Sequence, residues 1–174
     1  QKFRYGRVFD LGRAYAGLAQ SDPPATAQST GGLCAGKAGC LTEAVRQLES
    51  RDVATAFAND PTDVRYDEFV LLRASTYAQL GLAADGGKAR ADFEEIVRRA
   101  GMPGRGQIVA KAKVELAKIY VRDGQLALLG QNAANLGIAI DSFQKALGVD
   151  PNALEAKLGL GRAYAALAVS SATG

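Results

Sequence analysis

The chain contains the stretch Leu-Gly-Arg-Ala-Tyr-Ala-Gly-Leu-Ala at residues 11–19 and repeats it, with one change, as Leu-Gly-Arg-Ala-Tyr-Ala-Ala-Leu-Ala at residues 160–168. Eight of the nine positions are identical. Alanine is a good helix former, so an alanine-rich helix is one explanation of each stretch taken alone. Helix propensity does not require the same order of residues at both ends of a chain, however. An internal repeat therefore explains the pair better.

Weaker copies of the stretch lie between these two. Each copy places a small residue three positions before a tyrosine, in the pairs Gly12 and Tyr15, Ala74 and Tyr77, Ala117 and Tyr120, and Gly161 and Tyr164. Residues three apart are neighbours on a helix surface, so the tyrosine ring borders a notch where a second helix can approach closely. The copies predict a series of helices that pack through such notches.

The sequence between the copies also has helical spacing. Apolar residues recur every three or four positions from Val109 to Tyr120 and from Leu136 to Leu147, as on one face of a helix. We predict helices at about 3–19, 41–58, 63–80, 88–100, 107–122, 133–148 and 153–168. Turn signals at Asp60-Pro61, Asp123-Gly124 and Asp150-Pro151 separate them. Sustained two-residue alternation is absent from the sequence, which predicts an all-α fold.

A fuller pattern lies in the last third of the chain. It consists of Ala139, Phe143, Ala146, Pro151, Leu160, Gly161 and Tyr164. This pattern resembles the tetratricopeptide repeat (TPR) family, which has a Leu-Gly pair and a tyrosine on one helix and Ala, Phe and Pro on the next. The resemblance extends over nearly the whole chain, although Arg73 stands where the family has Leu and Ala117 where it has Gly.

The resemblance implies an architecture. Antiparallel helix hairpins would stack into a right-handed α-solenoid, here about three helix pairs and a terminal helix. We expect a single TPR-like domain over residues 1–174. Connections longer than the family's standard length predict inserted loops near 20–40 and 123–132. The glycine-rich segment 101–106 is predicted as a further turn between helices, because it lacks the strand and the Gly-Lys-Ser/Thr sequence of a phosphate-binding loop.

Cys34 and Cys40 are the two cysteines of the chain. The intervening residues are rich in Gly and Ala and allow the chain to double back, so a local disulfide is sterically easy. A paired state favours an oxidising compartment, and we expect a bacterial periplasm or cell envelope. The alternative is a pair of free thiols in a cytoplasmic loop.

The composition excludes several kinds of active site. The chain has no histidine, so it contains no Ser-His-Asp or Cys-His nucleophile system and no histidine-containing zinc or haem site. The adjacent pair Glu94 and Glu95 points in directions about 100° apart on a helix, which is unfavourable for a two-carboxylate site. We expect neither an enzyme nor a metal or cofactor site.

The charge distribution and the hydropathy limit the classes of partner that the chain can be expected to bind. Lys and Arg total 21 against 18 Asp and Glu, and so small and dispersed an excess is not typical of nucleic-acid binding. The sequence has no apolar run long enough to span a membrane. The TPR resemblance implies a protein or peptide partner instead.

The resemblance also implies where a partner binds, because the first helix of each TPR pair lines a concave groove. The basic residues expected there are Arg13, Lys111, Lys118, Arg122 and Arg162. Such residues favour an acidic segment or a C-terminal carboxylate. The alternative is that they only solvate the helices, with Glu115 pairing to Lys111 or Lys118.

The predicted function is a non-catalytic scaffold or adaptor that binds a peptide or protein on this concave face, in a bacterial cell-envelope assembly. The alternative is an oligomerising module. The last predicted helix has no following helix to pack on, and it would expose a stripe of Leu154, Leu158, Tyr164 and Leu167.

Overall fold

The computed structural model of the chain describes residues 2–20, 34, 36–50, 63–81, 83–130 and 132–172. These residues form helices and turns, with no strand among them. The helices are α1 (Lys2–Gln20), α2 (Gly36–Leu48), α3 (Val64–Leu80), α4 (Ala83–Arg98), α5 (Gly106–Leu128), α6 (Ala133–Val149) and α7 (Leu154–Ala172). The prediction of an all-α chain is confirmed for this part of the protein.

Local capping fixes several helix ends. The Asp63 side chain accepts a hydrogen bond from the Arg65 backbone N–H at 2.9 Å, as an N-cap does. Gly81 ends α3 in the left-handed conformation, at φ 67°, with its N–H donating to the Tyr77 carbonyl. Asn132 caps α6 in the same way as Asp63 caps α3, by accepting from the Asn135 N–H.

The chain divides into two compact units, Gln1–Ile108 and Val109–Gly174, where the sequence predicted one domain over 1–174. In the first unit α1 packs on α2, α3 packs on α4, and α2 also packs on α3. In the second unit α6 packs on α7. In each of these pairs the two helices are consecutive in sequence.

The core of the first unit contains the disulfide region. Cys34 and Cys40 lie at disulfide-bonding distance, with their Cα atoms 5.0 Å apart. They are buried together with Tyr15, Ala16, Ala19, Leu41 and Ala44. A side chain at Gly12 would place its Cβ 2.8 Å from Leu48 Cδ2, so glycine at this position allows α1 and α2 to approach closely.

The core of the second unit surrounds Phe143 on α6. The ring is fully buried among Val121, Ala139, Ala146, Ala156 and Ala163. A Cβ at Gly124 on α5 would lie 2.8 Å from the ring, and one at Gly159 on α7 would also meet it. Two glycines therefore make room for one phenylalanine.

A buried ion-pair network fixes the connection between α4 and α5. Asp67 on α3 has no exposed surface and lies 2.7 Å from Arg99 Nε. Its other carboxylate oxygen pairs with Arg105, and the Arg99 guanidinium lies 4.7 Å from the centroid of the Tyr66 ring. Residues 99–104 form turns and a bend, so the predicted turn at 101–106 is present up to the start of α5 at Gly106.

Two predicted loops need correction. Helix α5 continues to Leu128, so residues 123–128 of the loop predicted near 123–132 are helical. Asp123-Gly124 does not stop the helix, because Gly124 supplies the space that Phe143 occupies. Helix α2 begins at Gly36, inside the loop predicted near 20–40, while residues 21–33 and 35 lie outside the described part of the chain.

Other helix boundaries differ from the sequence prediction. Helix α2 ends at Leu48 instead of 58, and residues 51–58 lie outside the described residues. Helix α4 begins at Ala83 instead of 88. It therefore includes Gly86 and Gly87, although glycine has a low helix propensity. The other ends agree to within a few residues.

Candidate partner-binding surfaces

The structure places the predicted basic residues on exposed helix surfaces. Arg13 is exposed on α1 in the first unit. In the second unit, exposed side chains are those of Lys111, Lys118 and Arg122 on α5 and of Arg162 on α7. The three residues of α5 are seven and four positions apart, so they lie on one side of that helix.

Neighbouring acids partly balance these charges. Lys118 Nζ lies 2.7 Å from a Glu115 carboxylate oxygen, and both side chains are exposed. Arg122 Nε lies 4.0 Å from Asp123 Oδ1. Exposed pairs of this kind contribute less than about 1 kcal/mol. A partner carboxylate can therefore displace these acids at little cost.

An apolar surface lies on α7. Leu154, Leu158, Tyr164 and Val169 are 66 %, 56 %, 48 % and 65 % exposed. Exposure of the first three was predicted from the sequence, whereas Leu167 is only half-exposed. Helix α7 packs on its own unit through small residues instead, since Ala156, Gly159 and Ala163 are buried.

A charged cavity in the first unit was not predicted. It has a volume of about 270 Å³ and is lined by Glu49, Arg73, Tyr77, Lys88, Ala91 and Asp92. Arg73 on α3 donates two hydrogen bonds to Asp92 on α4, at 2.8 and 2.6 Å. The Tyr77 hydroxyl donates to Glu49, just past the end of α2. These partners are 19 and 28 residues apart in sequence, so helix periodicity gives no signal for them.

Hydrogen bonding and burial shift the ionisation of these groups. The hydrogen bond from Tyr77 lowers the pKa of Glu49, and Lys88 at 3.0 Å lowers it further. Burial raises the pKa of Tyr77, and donation to Glu49 raises it more. Burial opposes the charge of Arg73, but the hydrogen bonds and charge of Asp92 outweigh burial, so the pKa of Arg73 is raised. In the cavity Arg73 therefore pairs with Asp92, and Glu49 pairs with both Tyr77 and Lys88.

This arrangement connects α3 with α4 and with the end of α2. Lys88 Nζ lies 5.0 Å from the Tyr77 ring centroid, which holds the cation in place over the ring. Among the residues that the structure describes, no group of three or more Cys, Asp or Glu side chains is placed to hold a metal ion.

Comparisons with known proteins return no match, whether with family models, curated proteins or solved structures. The TPR resemblance therefore stays a prediction from the sequence. Within the described ranges, no helix is both long enough and apolar enough to cross a membrane.

Proposed function

We propose that the chain is a non-catalytic scaffold or adaptor with TPR-like architecture, which binds an acidic peptide or protein segment on the concave face of a helical solenoid. The side of α5 that carries Lys111, Lys118 and Arg122 forms part of that face. The single observation that carries this proposal is the exposure of these three basic residues on one side of one helix.

The packing of consecutive helices supports the TPR-like part of the proposal. In such repeats each helix packs on the next one along the chain, as α1 does on α2, α3 on α4 and α6 on α7. The small residue of the repeated pair is buried in α1, α3 and α5, at Gly12, Ala74 and Ala117. Antiparallel hairpins stacked in a right-handed solenoid are the arrangement that we propose for these pairs.

The cysteine pair supports a location in the cell envelope. Disulfides persist in oxidising compartments such as the bacterial periplasm. Cys34 and Cys40 are buried as a pair in the core of the first unit. We place the scaffold in a periplasmic or envelope-associated assembly.

Calorimetric titration with a six-residue glutamate peptide tests the proposed binding face. We expect saturable binding that weakens by about tenfold when Lys118→Glu and Arg122→Glu are combined, since each reversal replaces an attraction by a repulsion. Lys145→Glu is the control, because Lys145 is also exposed but lies on α6 beside Asp141. Absence of binding, or an equal loss in the control, would refute the proposed face.

The exposed apolar residues of α7 favour a second function, self-assembly through the terminal helices. Monomeric soluble proteins rarely expose large contiguous apolar patches. Size-exclusion chromatography with light scattering measures the mass in solution. A dimer or larger species at high concentration would favour this function, and a monomer would count against it.

A further inference from the structure

The two copies of the repeated stretch bury different faces of their helices. We define the notch face of α1 as Gly12, Tyr15, Ala16 and Ala19, all of which are buried. The identical residues of α7 are Gly161, Tyr164, Ala165 and Ala168, all of which are exposed. The tyrosine is 8 % exposed in α1 and 48 % exposed in α7. The same sequence is therefore covered at one end of the chain and open at the other.

The structure shows what covers the notch face of α1. Helix α2 places Leu48 against Gly12, where a Cβ would lie only 2.8 Å from the leucine. Leu41 and Ala44 of α2 belong to the same buried cluster as Tyr15, Ala16 and Ala19. The covering helix thus presents Leu, Ala and Leu at positions i, i+3 and i+7, which lie on one helix face.

The intermediate copies follow α1. In α3, Ala74 and Tyr77 are 0 % and 2 % exposed, and α4 packs on that helix. In α5, Ala117 is buried as well. Burial of the small residue is therefore regular in this chain, and exposed Gly161 on α7 departs from it.

We propose that the notch face of α7 binds an amphipathic helix of a partner protein, and that this helix carries a Leu-x2-Ala-x3-Leu face like that of α2. One leucine would enter the notch at Gly161, as Leu48 does at Gly12. The alanine would lie close to Tyr164, where a larger side chain has less room. Leu158, one turn before Gly161 and exposed, extends the apolar surface available to the partner.

A second copy of the chain is a poorer occupant of this face. The α2 helix of another copy already covers its own α1. If the α7 helices of two copies packed on each other, Leu158 and Tyr164 of one copy would meet Leu158 and Tyr164 of the other. Large side chains would then face large side chains, and no leucine would fill the notch at Gly161. The proposed surface also shares no residue with the basic side of α5, so the two proposals can fail separately.

The probe is a labelled peptide of residues 36–50 carrying Cys40→Ala, so that it contains the α2 face without a reactive thiol. Fluorescence anisotropy with the full chain is expected to show saturable binding. A peptide that also carries Leu41→Asp and Leu48→Asp is expected not to bind, because both leucines of the contact face are lost.

Two variants of the chain form a matched pair. Ala165→Arg is expected to weaken peptide binding by about tenfold or more, since it places a charge in the apolar contact. Ala166→Arg introduces the same residue at an exposed position about 100° further round the helix, and it is expected to leave binding unchanged. Because both alanines are exposed, both variants should fold, which circular dichroism checks.

An isolated short helix is only marginally stable in water, so a tethered version keeps the proposal testable. The α2 sequence is appended after Gly174 through a flexible Gly/Ser linker, which raises its effective concentration to about the millimolar range. We expect Tyr164 to become protected from nitration by tetranitromethane, with protection lost in Ala165→Arg.

Three results would overturn the proposal. One is equal peptide binding by Ala165→Arg and the unsubstituted chain, which would place the peptide elsewhere. Another is a dimer of the unsubstituted chain that Ala165→Arg dissociates, which would make a second copy the occupant. The third is a pair of negative observations: the free peptide does not bind, and Tyr164 is still nitrated in the tethered chain.

Discussion

Replacement of Asp67 by asparagine tests the buried ion-pair network of the first unit. Asp67 lies on α3 with no exposed side-chain surface, and its carboxylate pairs with Arg99 at 2.7 Å and with Arg105. The two arginine side chains are 13 % and 3 % exposed. Asparagine keeps the shape of the side chain but removes its charge, so two buried guanidinium groups lose the carboxylate that they share, although Arg99 keeps Glu95 at 3.8 Å.

The expected effect is large because the carboxylate that is neutralised lies buried between two cations. Removing one member of a buried ion pair typically destabilises a protein by about 3–5 kcal/mol. A domain is stable by only about 5–15 kcal/mol in total, so Asp67→Asn should remove a large share of the free energy of unfolding of the first unit.

Asp141→Asn is the matched control. Asp141 also pairs with a cation, at 2.7 Å from Lys145 Nζ, but the two side chains are 61 % and 56 % exposed. Loss of such a surface pair should cost about 0.5 kcal/mol or less. Urea unfolding followed by far-UV circular dichroism measures both variants. A loss below about 1 kcal/mol for Asp67→Asn, similar to the control, would refute the assigned role of the network.

Three further predictions concern packing, the disulfide and pH. Gly124→Ala should destabilise the second unit by about 1–3 kcal/mol, because the new Cβ meets the Phe143 ring, whereas Gly137→Ala, in open space on α6, should stabilise the chain by about 0.5–1 kcal/mol in the same urea assay. Reduction of the disulfide should lower the free energy of unfolding by about 2 kcal/mol, and a variant with both cysteines replaced by serine should be insensitive to dithiothreitol. The pKa of Glu49 is lowered from 4.5 in the folded protein, first by the hydrogen bond that Tyr77 donates. The ionised Glu49 therefore stabilises the fold above pH 4.5, and this stabilisation is lost as the pH falls through the pKa of Glu49 in the folded protein. Acid titration of stability should therefore show a shallower loss for Glu49→Gln than for the unsubstituted chain, and identical titrations would contradict the assignment.

The helical class was predictable because its signals are local. The spacing of Val109, Ala112 and Leu116 predicted a buried helix face, and all three are buried in α5. The exposure of Leu154 and Leu158 was also predicted, and both side chains are exposed on α7. Helix type and face follow from periodicity, which the sequence displays directly.

Features that depend on tertiary packing were not predictable. Gly124 indicated a turn by its own propensity, but within α5 it accommodates Phe143, which lies 19 residues further along the chain. The partners in the charged cavity and in the Asp67 network are distant in sequence, since Asp67 lies on α3 and pairs with Arg99 and Arg105 between α4 and α5. The sequence alone does not distinguish a charged residue that becomes buried from one that stays exposed, because burial depends on how the helices pack.

Chemical modification of the tyrosines tests most directly the claim that the repeated face is covered in α1 and open in α7. Nitration by tetranitromethane, followed by peptide mass spectrometry, compares Tyr15 and Tyr164 within the same sequence context. The expected result is rapid modification of Tyr164, which is 48 % exposed, and protection of Tyr15, which is 8 % exposed. Equal modification of the two, or faster modification of Tyr15, would contradict the claim that α7 carries an uncovered copy of this face.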